Sequence, residues 1–397
     1  MSIKKISLDQ FADVNPEGVT KSYSHDQIEY IDISSVGSGY LVDSIRVIPL
    51  KEAPSRAKRI IRTGDTILST VRPNLRSFLF VKDAKSNSIA STGFAVLRAK
   101  SNADPRFIYY AVTDSQFTGY LTNNTKGTSY PAVDSDTILR GEVPDFHLQE
   151  QKRIGKILSS YDDLIENNRR RIQLLEQSAR LLYKEWFISL RFPGHEHVKI
   201  TNGVPEGWER KTAFEVMNVL SGGTPKTDVP DYWNGEIPFF TPKDAIDSAY
   251  VFMTEKTITE SGLKKCNSKL YPKDTVFITA RGTVGNINLA SKPMAMNQSC
   301  YALIANHPIN QYYLYFALIE GVEQFRSRAV GAVFDAIIRD TFKMIPFLVP
   351  DEKLILFFSD YTSPIINQIY TLANQNLQLA KARDILLPRL MSGEVVA

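Results

Sequence analysis

Two cysteines among 397 residues, Cys266 and Cys300, are too few for a disulfide framework and fit a reducing compartment. No stretch approaches the roughly 18 uninterrupted apolar residues that a membrane helix needs. The opening MSIKKISLDQ has neither an apolar core nor a small-residue cleavage site. A phosphate-cradling Gly-x-x-x-x-Gly-Lys-Ser/Thr loop is missing, as is the Asn/Asp-Pro-Pro-aromatic tetrad with which amino-methyltransferases hold a target amine. The close pair His195 and His197 has no further histidine or cysteine nearby to complete a zinc site. Asp145 with Glu150 and Lys152 imitates a nuclease metal site, but at a spacing too short for neighbouring strands. Val36-Gly37-Ser38-Gly39-Tyr40 is a lone Gly-x-Gly and reads as a turn. The expectation is a cytoplasmic chain without membrane contact, catalytic constellation or metal.

What is present is ordinary in bulk. Hydrophobic residues make up 43% and charged residues 23%, enough to build cores, and at about 100–200 residues per domain the length gives two or three domains. Forty-seven Lys+Arg against 43 Asp+Glu leave +4, short of the basicity of many stand-alone nucleic-acid binders. The charge is uneven, however. Arg46, Lys51, Arg56, Lys58, Arg59, Arg62, Arg72 and Arg76 are opposed only by Glu52 and Asp65. Such an excess either faces phosphates or forms a solvated face.

The dominant feature is a long internal repeat. Gly64-Asp65-Thr66-Ile67-Leu68-Ser69-Thr70-Val71-Arg72 matches Lys273-Asp274-Thr275-Val276-Phe277-Ile278-Thr279-Ala280-Arg281. In the same order, Gly93–Leu97 matches Ser299–Leu303, Phe107–Ala111 matches Tyr313–Ala317, and Asp136-Thr137 matches Asp340-Thr341. The offset drifts only from about 209 to 204, so the halves are a duplication.

Each copy ends in a helical pattern. Ile154, Leu158, Tyr161, Ile165, Asn168, Ile172, Leu175, Ala179, Leu182 and Trp186 step by four and three, a heptad seam whose polar member, Asn168, sets register. The second copy gives Tyr361, Ile365, Gln368, Leu372, Gln375, Leu379, Ala382 and Leu386, with Pro364 placing a helix start or a kink there. The matching 3.5-residue period predicts that the helices pack on each other; the alternative is that each packs on its own globule.

The sequence resembles the specificity subunits of type I restriction–modification systems. The resemblance rests on the junction Lys184-Glu185-Trp186-Phe187-Ile188-Ser189-Leu190-Arg191-Phe192-Pro193-Gly194-His195-Glu196 and the opening Val204-Pro205-Glu206-Gly207-Trp208-Glu209. It is carried further by the tail Leu386–Glu394 and by Val143-Pro144 followed by Glu150-Gln151 and Ile154. Val349-Pro350-Asp351-Glu352-Lys353 departs from it by lacking the Glu-Gln pair. The resemblance implies an α+β fold with two pseudo-repeated globular target recognition domains joined by two long helices packed as an antiparallel coiled coil. The domains would be 1–146, then helix 147–190, linker 191–206, second domain 207–348 and C-terminal helix 349–397.

Implied with it is recognition without catalysis. Each globule reads one half of a bipartite, asymmetric double-stranded DNA target, and the helices set the spacer and dock two methyltransferase subunits. Restriction/translocase subunits join that core, with S-adenosylmethionine, ATP and Mg2+ bound by the partners and no cofactor here. A structural protein–protein adaptor without DNA specificity is the alternative.

Base readout needs polar side chains presented from loops on a rigid scaffold. The candidates in the first globule are Arg72, Asn74, Lys126, Thr128, Ser129 and Tyr130; in the second, Lys243, Arg281, Thr283, Asn297 and Gln298. Arg72 and Arg281 recur in both copies, so they either contact DNA or brace the fold through Asp65 and Asp274. In this alignment Lys126 and Thr128 stand opposite Val330 and Ala332, and Lys243 opposite Ser35.

Overall fold

The computed structural model describes residues 3–127, 130–329 and 336–397. Thr128, Ser129, Val330 and Ala332 lie outside the described residues. The chain forms two compact units, Met1–Ile165 with Gln378–Ala397, and Glu166–Leu377. Each unit thus takes a globule together with a stretch of both long helices, Leu148–Tyr183 and Glu352–Met391.

In the first unit an antiparallel sheet runs in the order Ala12–Val14, Phe94–Ala99, Thr66–Ser69, Phe78–Phe80. A second sheet holds Gln27–Ile31 parallel to Ser88–Ser91. Helices Pro105–Thr113 and Ser115–Asn123 cover the first sheet through Phe107, Ile108, Val112 and Phe117. The second unit repeats the plan. Met217–Ser221, Cys300–Ala305, Val276–Thr279 and Ile287–Ala290 pair antiparallel, Trp233–Phe240 runs parallel to Ala295–Met296, and Gln311–Ala329 is the covering helix.

The backbone corrects the alignment of the copies by one residue. Thr70 N donates to Gly93 O, as Ala280 N does to Ser299 O; Val133 N donates to Thr70 O, as Ile337 N does to Ala280 O. The strand Thr66–Ser69 therefore matches Val276–Thr279, and the left-handed turn residue Gly64 matches Asp274. It follows that Arg72 stands where the second copy has Gly282, not Arg281. The helical turns Ile33–Ser35 and Pro242–Asp244 likewise put Ser34, not Ser35, opposite Lys243.

Both long helices open at matching positions, Leu148 and Glu352. Gln151 is wholly buried, its carboxamide oxygen accepting from Asp104 N (2.9 Å) and its nitrogen donating to Phe146 O (2.8 Å). The buried Ile355 occupies that place in the second copy, which accounts for the missing Glu-Gln pair. The helix starting at Glu352 runs through Pro364, contrary to a start at that proline. The proline forfeits one hydrogen bond, but Ile355, Phe358, Ile366 and Ile369 on either side of it are buried and hold the helix.

Within each unit the helices pair antiparallel and also pack on the globule, so both packing alternatives hold. In the first unit Ile154 and Leu158 share a core with Leu387, Leu390 and Met391. In the second, Asn168 Nδ2 donates to Asn376 Oδ1 (3.0 Å), while Trp186, farther along, stacks on Phe357 nearer the start of its helix. Ile165, Asn168, Ile172 and Leu372 are buried; Tyr161, Leu175, Leu182, Leu379 and Leu386 are half-buried at the seam's edge. One stretch is out of phase. Tyr361 is 52% exposed, and the buried set is Phe358, Thr362, Ile366 and Ile369. Apolar residues adjoin there (Ile365 and Ile366), so a 3.5 period fits two phases and packing on the globule selects one.

Candidate nucleic-acid interface

In the first unit three loops converge beyond one end of the sheets. Arg72 N donates to Pro131 O (2.8 Å), and Val71 and Lys126 each bridge Ala132, which ties the 70–76 loop to the 124–133 loop. Ser38 Oγ donates to Arg76 O (2.7 Å) and Gly39 N to Phe78 O (2.9 Å), which adds the turn around Gly37. Arg72, Asn74, Lys126 and Tyr130 are thereby brought together, and all four are at least partly exposed. The Arg72 guanidinium lies 5.4 Å from the Tyr130 ring centroid. Lys126 pairs with Asp134 at 2.7 Å and, with the Thr137 hydroxyl, holds the Asp134 carboxyl below the usual range.

The basic run splits on inspection. Arg56 pairs with Asp32 and Arg62 with Glu17, both at 2.7 Å, and Arg76 is pinned to Thr113 O at 2.8 Å. Arg46, Lys51, Lys58 and Arg72 have no acidic partner among the described residues. Of the two alternatives for Arg72 and Arg281, bracing through Asp65 and Asp274 fails for a clear reason. Asp65 is already bound twice by Arg98 (2.8 and 2.9 Å) and by Arg62 N, and Asp274 accepts from the Tyr250 hydroxyl. Both arginines are exposed instead.

The second unit assembles its candidates at the equivalent strand ends. Phe240 and Met296 are parallel partners, and Asn297 N donates to Phe240 O (3.0 Å), so the turn carrying Lys243 and the Asn297–Gln298 loop are neighbours. The Ala280–Ser299 hydrogen bond adds Arg281 and Thr283. Two of these side chains are partly committed, because Asn297 Oδ1 accepts from Ser299 N and Gln298 Oε1 from the Thr224 hydroxyl. Lys243 keeps only a distant pair with Glu255, 3.9 Å.

Sequence reasoning missed two groups. Arg339 and Lys343 lie over the Phe214 ring at 5.2 and 5.5 Å, on the segment that Ile337 ties to Ala280. Burial pushes the Tyr301 phenol up, against the opposing pull of Arg281 and Arg339. The other group is the exposed run Tyr40, Leu41 and Val42. Its signal was an apolar triplet leaving a Gly-Ser turn, where a core strand has no reason to start.

Two copies of a mixed-sheet domain, each presenting polar and basic loops from strand ends and each backed by a helix pair, define a duplicated recognition protein. The family model for the type I restriction modification DNA specificity domain matches residues 3–177 and again 205–374, and the chain belongs to that family. Its function class is specificity rather than catalysis. The HindI specificity subunit of Haemophilus influenzae is 23% identical, over 87% of this chain and 90% of that one. The MjaIX specificity subunit of Methanocaldococcus jannaschii is 26% identical, over 96% and 89%. The fold is shared with the type I restriction–modification S subunit of M. genitalium, at 17% identity and a TM-score of 0.59 over 98% and 96% of the two chains. Among the described residues no helix is long and apolar enough to cross a membrane.

Proposed function

We propose that this chain is the non-catalytic DNA-recognition subunit of a cytoplasmic type I restriction–modification complex. Each globule reads one half of a bipartite, asymmetric double-stranded target, and the long helices set the spacer between the halves. The helices also dock two methyltransferase subunits, and restriction/translocase subunits join them. S-adenosylmethionine, ATP and Mg2+ act on those partners. The observation that carries the reading is the twofold match of a DNA specificity domain to the two repeats, each with its own loop cluster at the strand ends. Candidate contacts are Arg72, Asn74, Lys126, Thr128, Ser129 and Tyr130 for one half, and Lys243, Arg281, Thr283, Asn297 and Gln298 for the other.

Exchange of residues 207–346 for the matching segment of another family member tests it. Methylation mapping of the reconstituted complex should show one half-site replaced and the other retained. A change in both halves, or none, sinks the assignment of one repeat to one half-site.

A further inference from the structure

Arg72 stands in the left-handed region, φ 48° and ψ 59°, a conformation that costs any residue with a Cβ. The second repeat makes the same turn with Gly282 at φ 79°. Glycine therefore suffices for the backbone, and the arginine is present in spite of it. Nor does the side chain brace the fold, since it has no carboxylate partner among the described residues. Its guanidinium instead lies over the ring of Tyr130, itself 66% exposed. The base beneath the pair is firm: Arg72 N is held by Pro131 O, and buried Pro73 opens the next turn. A strained residue kept for its side chain is a sign of use.

We propose that Arg72, its guanidinium plane supported by the Tyr130 ring, is the side chain with which the first repeat selects a guanine. It would donate two parallel hydrogen bonds to O6 and N7 in the major groove; the inference rests on the DNA-reading function proposed above. A planar fork, lying over an aromatic face and free of competing acids, fits that edge. Adenine presents a donor at the position of O6 and is refused. A phosphate contact, by contrast, needs only charge. Gly282 supplies no side chain, so the second repeat has no equivalent contact.

The test is selection from a randomised DNA library by the full-length chain assembled with its methyltransferase partners, for wild type, Arg72→Gly, Arg72→Lys and Tyr130→Ala. Arg72→Gly relieves the left-handed strain, so its Tm should not fall and misfolding is not in play. It should leave one guanine position of one half-site degenerate, with discrimination there reduced about 5- to 150-fold and every other position intact. Arg72→Lys should behave nearly alike, because it keeps the charge and loses the fork, and Tyr130→Ala should weaken the same position less. Uniform loss of affinity across all sequences, restored by lysine, would mean a phosphate contact and overturn the proposal. So would an unchanged motif. If the wild-type assembly itself selects no motif, the DNA-reading function falls, and this proposal falls with it.

Discussion

The two repeats solve one packing problem with opposite chemistry. Where the covering helix meets the helix pair in the first unit, the Tyr110 hydroxyl donates to Asp162 Oδ2 (2.5 Å), and Arg383 grips the other carboxylate oxygen. The matching positions of the second repeat are Phe316, Ile366 and Ala179, all buried and apolar. The same substitution recurs deeper in the sheet, where the Asp65–Arg98 pair gives way to Thr275 and Ile304. Burial works against the Arg383 charge, but the Asp162 carboxylate, with Asp384 beside it, more than offsets it. Buried ion pairs add little net stability over an apolar replacement, since desolvation consumes most of the attraction, yet removing one partner is costly. The comparison therefore teaches that the charged version is chosen for something other than stability. A heptad seam that is apolar throughout slides easily in register, and a polar contact at one level resists sliding.

The largest expected effect breaks this comparison at its centre. Asp162→Ala leaves the Tyr110 hydroxyl without its acceptor and the half-buried Arg383 guanidinium with Asp384 alone, and should cost about 2–3 kcal/mol in denaturant-unfolding stability. The triple change Tyr110→Phe, Asp162→Ile, Arg383→Ala copies the second repeat into the first and should fall within about 1 kcal/mol of wild type. A triple variant as unstable as the single one would show that the surrounding first unit, and not the pair, demands the charge.

Such exchanges explain what was legible in the sequence. The duplication, the two helices and the seam through Ile154, Leu158 and Ile165 were readable because burial imposes a period on side chains. The loop alignment was not. Arg72 and Arg281 look alike, but a turn is specified by backbone conformation, and the left-handed residue facing Arg72 is Gly282. The Tyr110–Asp162–Arg383 contact was hidden for the same reason, as its counterparts share geometry without sharing chemistry. The loop clusters were legible as loops; which side chains were already committed, such as Asn297 and Gln298, depended on neighbours remote in sequence.

A smaller effect sharpens the comparison at the helix starts. Gly155 lies so close to the cap of the covering helix that an added Cβ would come within 2.7 Å of Asp104 Oδ1 and 3.2 Å of Phe107 N. The corresponding Ser359 accepts a hydrogen bond from Asn310 Nδ2, so the second repeat fills the space that the first closes. Gly155→Ser should cost about 2 kcal/mol through overpacking. Ser359→Gly should cost about 1–2 kcal/mol, from a lost hydrogen bond and the poor helix propensity of glycine. Thermal unfolding of the two variants checks both values. Equal tolerance of serine at both sites would mean that the helix approach is not what distinguishes the repeats.

The smallest expected effect concerns a place where the charge sits in the other repeat. Glu176 accepts from Ala249 N (2.8 Å) and Ser248 Oγ (3.2 Å) in the second unit, while the corresponding helix position in the first is Ala380. Burial raises the Glu176 carboxyl above its ordinary value, and the two hydrogen bonds only partly restrain it. A raised carboxyl means that the folded state holds the proton more tightly than the unfolded state does. Stability from this group is therefore highest in acid, falls as the pH climbs from the ordinary glutamate range through the raised folded value, and stays reduced above it. Glu176→Gln keeps an oxygen acceptor for Ala249 N and cannot ionise. The variant should match wild type at the acid end and gain on it toward neutral pH, by up to about 1 kcal/mol. Unfolding curves taken across that range decide the matter. A gap that is constant with pH would show that the carboxyl is solvated in the folded state, and that this exchange of acid for alanine between the repeats carries no electrostatic consequence.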